Sequence, residues 1–560
     1  MIVNSRFPSY SFEYRKCFSD FLFDFAADWG AKTALVDPET SQELTFPELQ
    51  LEVDKYSRKL VSLGVEQNDV VCTLCGNSTN FIILSLAASK VGAVFSPLNP
   101  AHKADEIAKY CQQTKAKWIF TEEPYLENVA NAVECLEHVK RVLTLADFHE
   151  ASSTISQCPE RPMDVAETAI IFFSSGTTGL PKGVRISHRA LMAQVHSISS
   201  INSDPSTPMP YIASTDRVFG VLPYFHAGGL ITVYCMLSKG ATVYINKQFK
   251  EDTFFNVIEN HKITVLYVVP PILELFVPAL KRCPSVRLVL VGATQVRTEL
   301  MEQLRGDFPN VTFTELYGLT EVGILCLMSP LHHKPNTTGV LLPGFKSRVI
   351  DGELWFRSAT AMSGYLEAAQ TREALTNDGW IRSGDLGLVD EDGYFSITGR
   401  LKELIKVRGW QVSPKEIEDA VLAAFPDAVR ECCVIGVPDQ RSGELPRAFV
   451  VLKENARLDP EQIHKIINRK FISYKHLKGG IEFLGQIPKN PSGKVDRREL
   501  LATYVTKRQD PQLNSPDDQE IQAGPVPDPA MFQKVEEAYP EIETLEDNVP
   551  NEPTNAGRSA

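Results

Sequence analysis

The sequence predicts an α/β fold in which a large N-terminal domain of helix-covered, mostly parallel sheets, split into sub-lobes, precedes a small α+β C-terminal domain. Three observations carry that expectation. Short β-rich runs alternate with amphipathic helical patterns from about residue 15 to 400, the rhythm of parallel strands joined by crossover helices. A second unit with its own helix-start signals begins near Leu401. The chain has 560 residues, 43% of them hydrophobic, more apolar material than a single core accommodates.

In chain order, FPELQLEVDKYSRKLVSLGV places Leu49, Val53, Tyr56, Leu60 and Leu63 on one helical stripe closed by Gly64. The runs DVVCTLC, GAVFSPL, AKWIFTEE, TAIIFFS, ATVYINK, ITVLYVV and VRLVLVGA then read as strands. FIILSLAASKVGAVFSPL, broken by Ser, Lys90 and Gly, reads as a core helix leading into a strand, since no segment offers the ~20 apolar residues a membrane span needs. The domain of residues 15–400 gives way to one of residues 401–505. Its first helix carries Ser413-x-x-Glu416, the spacing of a capping box, with Pro414 at the first helical position. Ile417, Val421, Ala424 and Phe425 are expected on its buried face. A second helix opens at Asp459-Pro460 and buries Ile463, Ile466, Ile467 and Phe471, beside the strands ECCVIGV and RAFVVLK.

Charge and cysteine usage narrow the function classes. The formal charge of −13 has the wrong sign for non-specific nucleic-acid binding. Most of it lies in residues 509–560, where twelve acidic residues face only Lys534 and Arg558. That stretch, rich in proline and poor in large apolar residues, reads as a disordered acidic tail. The 11 cysteines are scattered apart from Cys72/Cys75 and Cys432/Cys433. No second pair completes a zinc site for Cys72 and Cys75, which are expected to be buried thiols in a strand. Adjacent Cys432 and Cys433 face opposite sides of theirs. This usage suits a reducing compartment. The N-terminus lacks a signal-peptide core, and Arg558-Ser559-Ala560 is not an SKL-type tripeptide, so the cytoplasm is the expected location.

The most informative segment is TAIIFFSSGTTGLPKGVRISH, residues 168–188. A strand runs into a loop of Ser174, Ser175, Gly176, Thr177, Thr178 and Gly179, closed by Lys182. Glycines let the backbone approach an anion, hydroxyls and amides donate hydrogen bonds, and lysine adds charge, so the loop is suited to wrapping phosphates. It is not a GxxxxGK[ST] loop, because Pro181 and Gly183 break that spacing.

With LVGAT (290–294), LYGLTEVG (316–323), GELWFRSATAMSGY (352–365), GWIRSGDLG (379–387), GYFSITGRLKELIKVRGWQVSPKEIE (393–418) and PKNPSGKVDRREL (488–500), this string resembles the adenylate-forming enzymes. These include acyl- and aryl-CoA synthetases, peptide-synthetase adenylation domains and beetle luciferases. The segments occur in the family's order and span almost everything from residue 15 to 503. Within the family the chain looks most like 4-coumarate:CoA ligase and related acyl-CoA synthetases.

The resemblance implies activation of a small-molecule carboxylic acid by ATP, with pyrophosphate released, then transfer of the acyl group to coenzyme A. A carrier-protein thiol is the alternative acceptor. A luciferase-like fate of the adenylate leaves no residue signature, and a non-catalytic relative would not need to keep Lys494, Glu321 and Lys406. The resemblance places Thr177, Thr178, Gly179 and Lys182 at the terminal phosphates, Thr320 beside the α-phosphate and Glu321 as the Mg²⁺ carboxylate. Tyr317 would stack on adenine, flanked by Gly292 and Ala293, with Glu315, Leu316 and Gly318 also at the nucleotide. Asp385 would accept from both ribose hydroxyls, Arg400 would add a contact, and Lys494 would bridge the carboxylate and the α-phosphate.

A mobile C-terminal domain pivoting at Lys402 would then exchange Lys494 for another face. Lys406 and Gln411 would contact the adenylate, and Arg408-Gly409 and Lys247 coenzyme A. In PYFHAGGL, His226 would cap the acyl pocket. Ala227, Gly228, Gly229, Gly318, Gly323, Ile324 and Leu325 would line it, the small Ala227-Gly228-Gly229 run leaving room for a bulky or elongated group. PYFHAGGLITV carries no acid to hold a substrate ammonium, which argues against amino acids.

Overall fold

The computed structural model describes residues 2–509, except 9–16, 153–154, 159–162, 175–180, 204–208, 210, 248–249, 294–295, 297, 330–331, 440 and 491–493. The acidic stretch read as a tail thus lies, beyond Gln509, outside the described residues. The chain forms two compact units, Met1–Leu501 and Ala502–Ala560. Of the second, residues 502–509 are described, and they are helical.

Among the described residues, the first unit holds four sheets. A seven-stranded sheet has a parallel core of Thr168–Ser174, Val94–Leu98, Val70–Leu74, Trp118–Thr121 and Arg141–Thr144, with Lys182–Ser187 and Gly364–Tyr365 added antiparallel at one edge. A nine-stranded sheet has a parallel core that includes Thr242–Ile245, Arg217–Gly220, Val265–Val268, Leu288–Val291 and Thr312–Leu319. All seven runs read as strands are strands. Their near-continuous apolar character follows from helices covering both faces. The helix Thr79–Lys90 is one such cover, buried nearly all round.

The third sheet departs from the parallel expectation. Ile2–Asn4, Lys346–Ile350, Glu353–Arg357, Ile381–Val389 and Phe395–Arg400 form a wholly antiparallel sheet. Its strands alternate rather than run apolar: Leu354 and Phe356 are buried while Trp355 and Arg357 are not. That period of two marks a sheet open to water on one face. The fourth sheet lies between Ile405 and Phe483 and is built on the long antiparallel pair Val429–Asp439 and Gly443–Leu452.

Helix Phe46–Ser62 shows how local signals set an element. Thr45 and Glu48 form a reciprocal capping box, Leu49, Val53, Tyr56 and Leu60 are buried, and Gly64 ends the turn at φ +89°. Each such aliphatic side chain contributes roughly 1.5–3 kcal/mol by burial. The helix Pro414–Ala424 corrects one expectation. Ser413 precedes it, but its hydroxyl donates to the Thr398 carbonyl (3.1 Å) rather than closing a box with Glu416. Ala424 is exposed and Phe425 half-buried, because the chain leaves helical geometry at Phe425 and the periodicity ends with it; Ala420 takes the buried place.

Cys72 and Cys75 are buried, with burial raising both thiols well above their ordinary values. Among the described residues no helix is long and apolar enough to cross a membrane.

His188 begins the helix His188–Ser199 and is 1% exposed; its Nδ1 accepts from the Phe18 N–H (3.2 Å). Burial pushes this imidazole from 6.5 down to about 4. Between those pH values the unfolded chain binds a proton that the folded chain refuses. Stability therefore falls as pH drops through that window, by about 3 kcal/mol at full effect. The urea midpoint of the wild type should drop between pH 7 and pH 5 more than that of His188→Gln; equal drops would contradict this account.

Candidate active site

A cavity of about 430 Å³ opens within the first unit, in the range of small-molecule sites. One end is polar. Ser174 and Lys182 face each other across the antiparallel pair Thr168–Ser174 and Lys182–Ser187, so residues 175–180 connect two strands rather than a strand and a helix. The loop residues Ser175, Gly176, Thr177, Thr178 and Gly179 themselves lie outside the described residues. Both flanking side chains line the cavity. The Lys182 ammonium sits 4.8 Å above the ring of Tyr365, whose hydroxyl donates to Glu321 Oε1 (2.9 Å). Glu321 and Thr320 follow the strand Thr312–Leu319 in the turn before Gly323–Leu327, and both reach the cavity. The second Glu321 oxygen has no hydrogen-bond partner among the described residues.

Behind this wall lies a buried network. Asp385, 2% exposed, accepts from the Tyr317 hydroxyl (2.6 Å) on one oxygen and from Arg400 Nε (2.9 Å) on the other. Asp385 and Arg400 are cross-strand partners in the antiparallel sheet, which fixes their approach. Arg400 and Lys402 line the cavity.

Lys494 enters from the C-terminal part of the chain. Its backbone N–H donates to Asn490 Oδ1 (3.0 Å) and its carbonyl accepts from Asn490 N–H (2.8 Å), which ties Lys494 to Asn490. Burial, and then the nearby Arg400, lower the pKa of its ammonium; Asp385, Glu321 and Glu403 oppose them. Just beyond, Arg497 donates to Glu418 (2.9 Å), the Val434 carbonyl (2.6 Å) and Cys433 Sγ (3.0 Å), and pairs with Glu403 (3.2 Å). Lys402 is lowered by burial and by Lys182.

The other end of the cavity is apolar. His226 precedes the helix Ala227–Ser238 and lines the cavity; its Nε2 is buried without a hydrogen-bond partner among the described residues. Burial, then the positive charge of Lys494, push this imidazole down to about 4, so it is neutral near pH 7. Leu222, Ile231, Tyr267, Val269, Leu316 and Ile324 form the walls with Ala227, Gly228, Gly229, Gly318 and Gly323.

Of the residues singled out in the sequence, the cavity thus gathers Ser174, Lys182, His226, Ala227, Gly228, Gly229, Ala293, Leu316, Gly318, Thr320, Glu321, Gly323, Ile324, Arg400, Lys402 and Lys494. Tyr317 and Asp385 back its wall, and Gly292 abuts Leu316 and Tyr267. Glu315 departs from expectation: its carboxylate accepts from the Val296 N–H (3.2 Å) and does not line the cavity. Leu325 is fully buried in the core instead. Lys406, Arg408, Gly409 and Gln411 are exposed on the hairpin Ile405–Val407/Trp410–Val412, and Lys247 is exposed after Thr242–Ile245. The Arg408-Gly409 tip has φ of +50° and +86°.

Tyr365, Glu353, Arg382 and Glu373 line the cavity without having been singled out. Glu353 holds the Gly384 N–H (2.8 Å) next to Asp385, and Arg382 stacks on Trp355 at 4.8 Å. Tyr365 closes the GELWFRSATAMSGY string, which was its only sequence signal.

A cavity that gathers Lys182, Arg400, Lys402 and Lys494 together with apolar walls suits an enzyme that brings an anionic cosubstrate to an apolar substrate. The chain belongs to the AMP-binding enzyme family: that family's model matches residues 22–366, and the model of the AMP-binding enzyme C-terminal domain matches residues 416–494. It is 32% identical to 4-coumarate–CoA ligase 5 of Oryza sativa subsp. japonica, over 90% of this chain and 97% of that protein. The fold superposes on ATP-bound MatB from Rhodopseudomonas palustris with a TM-score of 0.78 at 24% identity, covering 88% and 99% of the two chains. A Mycobacterium tuberculosis fatty acyl CoA synthetase gives 0.71 at 26%, with 88% and 99% covered.

Proposed function

We propose that this chain is an AMP-forming acid–thiol ligase. It joins a carboxylic acid to the α-phosphorus of ATP, expelling pyrophosphate, and then passes the acyl group to the thiol of coenzyme A. The observation that carries this reading is the convergence of Lys182, Arg400, Lys402 and Lys494 at one end of a cavity whose other end is apolar. Attack of one anion on another is limited by repulsion, so catalysis is mainly neutralisation and alignment.

Lys494 serves the first step. A poorly hydrated ammonium gains most from approaching anions, and ATP and the carboxylate supply the counter-charge its burial lacks. Lys182 lies beside the loop proposed to hold the terminal phosphates, and Arg400 and Asp385 are the residues proposed to hold the ribose. Neutral His226 adds no charge at the junction and separates the acyl chain from the phosphates.

Glu321 suits Mg²⁺ because it offers one carboxylate, oriented by Tyr365, in a site where phosphates would complete the shell. When bound, the ion would neutralise phosphate charge. Tyr365→Phe frees Glu321 to rotate, so half-maximal adenylation should require roughly tenfold more Mg²⁺. An unchanged Mg²⁺ titration would remove Tyr365 from this role.

For the second step, the domains of residues 15–400 and 401–505 pivot near Lys402. Lys494 leaves, and the exposed face of Lys406, Arg408, Gly409 and Gln411 turns in, with Lys247 a further coenzyme A contact. Pyrophosphate release measured across aryl and short-, medium- and long-chain acids, with and without coenzyme A, tests the whole reading. Acid-dependent release supports it, and so does a thioester formed only when coenzyme A is present. No release with any acid would overturn it.

A further inference from the structure

The exposed hairpin Ile405–Val407/Trp410–Val412 has little backbone hold on the sheet behind it. Among the described residues its ladder to the strand Gly443–Leu452 is one residue pair long, Val407 opposite Gly443. Within the hairpin Lys406 lies directly across from Gln411. Both side chains therefore stand on one face and follow the Lys406 backbone. These are the two residues proposed above to contact the adenylate in the second step.

Glu444 supplies the missing hold. Its Oε2 accepts the Lys406 N–H at 2.7 Å, a charge-assisted bond to a backbone donor. Gly436 leaves the slot through which the carboxylate reaches that amide. A Cβ there would lie 3.0 Å from Glu444 Cδ and Oε2, and 3.0 Å from Ile405 Cγ2.

Two residues earlier, buried Ser442 grips the hairpin tip. Its carbonyl accepts the Arg408 N–H (2.8 Å), and its Oγ accepts from Arg408 Nε (3.2 Å). Arg408 has φ +50°, in the left-handed region, where a non-glycine residue persists only if its surroundings hold it. Ser442, Gly443 and Glu444 do not line the cavity, so this hold lies outside the machinery of the first step.

We propose that Glu444 is a positioning residue for thioester formation: it acts through the Lys406 backbone to hold Lys406 and Gln411 in the arrangement that receives the adenylate once Lys494 has left. The inference rests on the ligase reading above. Its mark is selectivity between the two steps. General damage to this sheet would reach Lys494 as well, because nearby Arg497 donates to the Val434 carbonyl (2.6 Å) on the strand paired with Gly443–Leu452. Loss of the Glu444 bond alone leaves adenylation intact.

The test separates the half-reactions in wild type, Glu444→Ala, Glu444→Gln and Glu444→Asp. Adenylation is read as ATP–pyrophosphate exchange with cinnamate, hexanoate and dodecanoate. Thioester formation is read in single turnovers of the corresponding preformed acyl-adenylates with coenzyme A. Misplacing a catalytic group by about 1 Å can cost about 100-fold. Glu444→Ala should therefore slow the second step by roughly 10–100-fold, with exchange near the wild-type rate. Glu444→Gln keeps an acceptor oxygen at the same reach and should restore most of the rate. Glu444→Asp keeps the charge but stops a methylene short, and should resemble Glu444→Ala. If Glu444→Ala does not fold, the contrast between Glu444→Gln and Glu444→Asp decides.

Equal loss in both half-reactions, an unaffected Glu444→Ala, or equal rates in Glu444→Gln and Glu444→Asp would overturn the positioning role while leaving the ligase intact. A wild type that exchanges with none of these acids and forms no thioester from their adenylates would overturn the ligase reading and the positioning role together.

Discussion

Replacing Lys494 with alanine is expected to slow acyl-adenylate formation by roughly 10²–10³-fold, the usual cost of deleting one donor aimed at developing charge. Thioester formation from a preformed acyl-adenylate should proceed near the wild-type rate. The asymmetry follows from position: Lys494 lines the cavity while Lys406 and Gln411 are exposed, so the two steps draw on different faces of the C-terminal region. The Asn490–Lys494 hydrogen bonds are made by backbone atoms of Lys494 and do not need the ammonium, which keeps folding out of the comparison. Single-turnover assays of each half-reaction check this, and equal loss of both would contradict the two-face scheme.

Asp385→Ala is expected to damage both nucleotide binding and stability. The carboxylate accepts from Tyr317 and Arg400 at once. Its removal leaves a buried phenol without its acceptor and a guanidinium without its counter-ion. Breaking a fully buried pair by removing one partner costs about 3–5 kcal/mol. Because the Arg400 side chain is 36% exposed, water recovers part of that, and a loss of about 2–3 kcal/mol is expected. Asp385→Asn restores an acceptor for Tyr317 and should lose less stability. Both should raise the KM for ATP, because each loses the charged acceptor proposed for the ribose. Urea unfolding and ATP titrations of the pair check this; an alanine variant as stable as the asparagine one would show that the network is dispensable.

Much of the fold was legible because it is local. The seven apolar runs became strands since each is long enough, and apolar enough, to be covered on both faces. The antiparallel sheet was missed because its strands carry motifs rich in Gly, Ser and Arg, and their alternation is short. Within the site, the same period of two explains the misplaced residues. Leu316 and Gly318 line the cavity, so Glu315 and Tyr317 on the same strand point the other way. Ile324 reaches the cavity and adjacent Leu325 the core. Tyr365 lay out of reach for a different reason: its partners Lys182 and Glu321 come from distant segments, and no spacing rule links them. The Ser413 cap failed likewise: its hydroxyl is turned toward a carbonyl at Thr398, fifteen residues back, and accepts from no amide of the helix.

Arg497 anchors itself mostly within its own neighbourhood. Glu418, Val434, Cys433 and Glu403 all lie beyond the proposed pivot at Lys402. In the proposed cycle, departure of Lys494 therefore breaks none of these contacts. The cluster travels as cargo, and the lysine's neighbour keeps its partners whichever face is turned in.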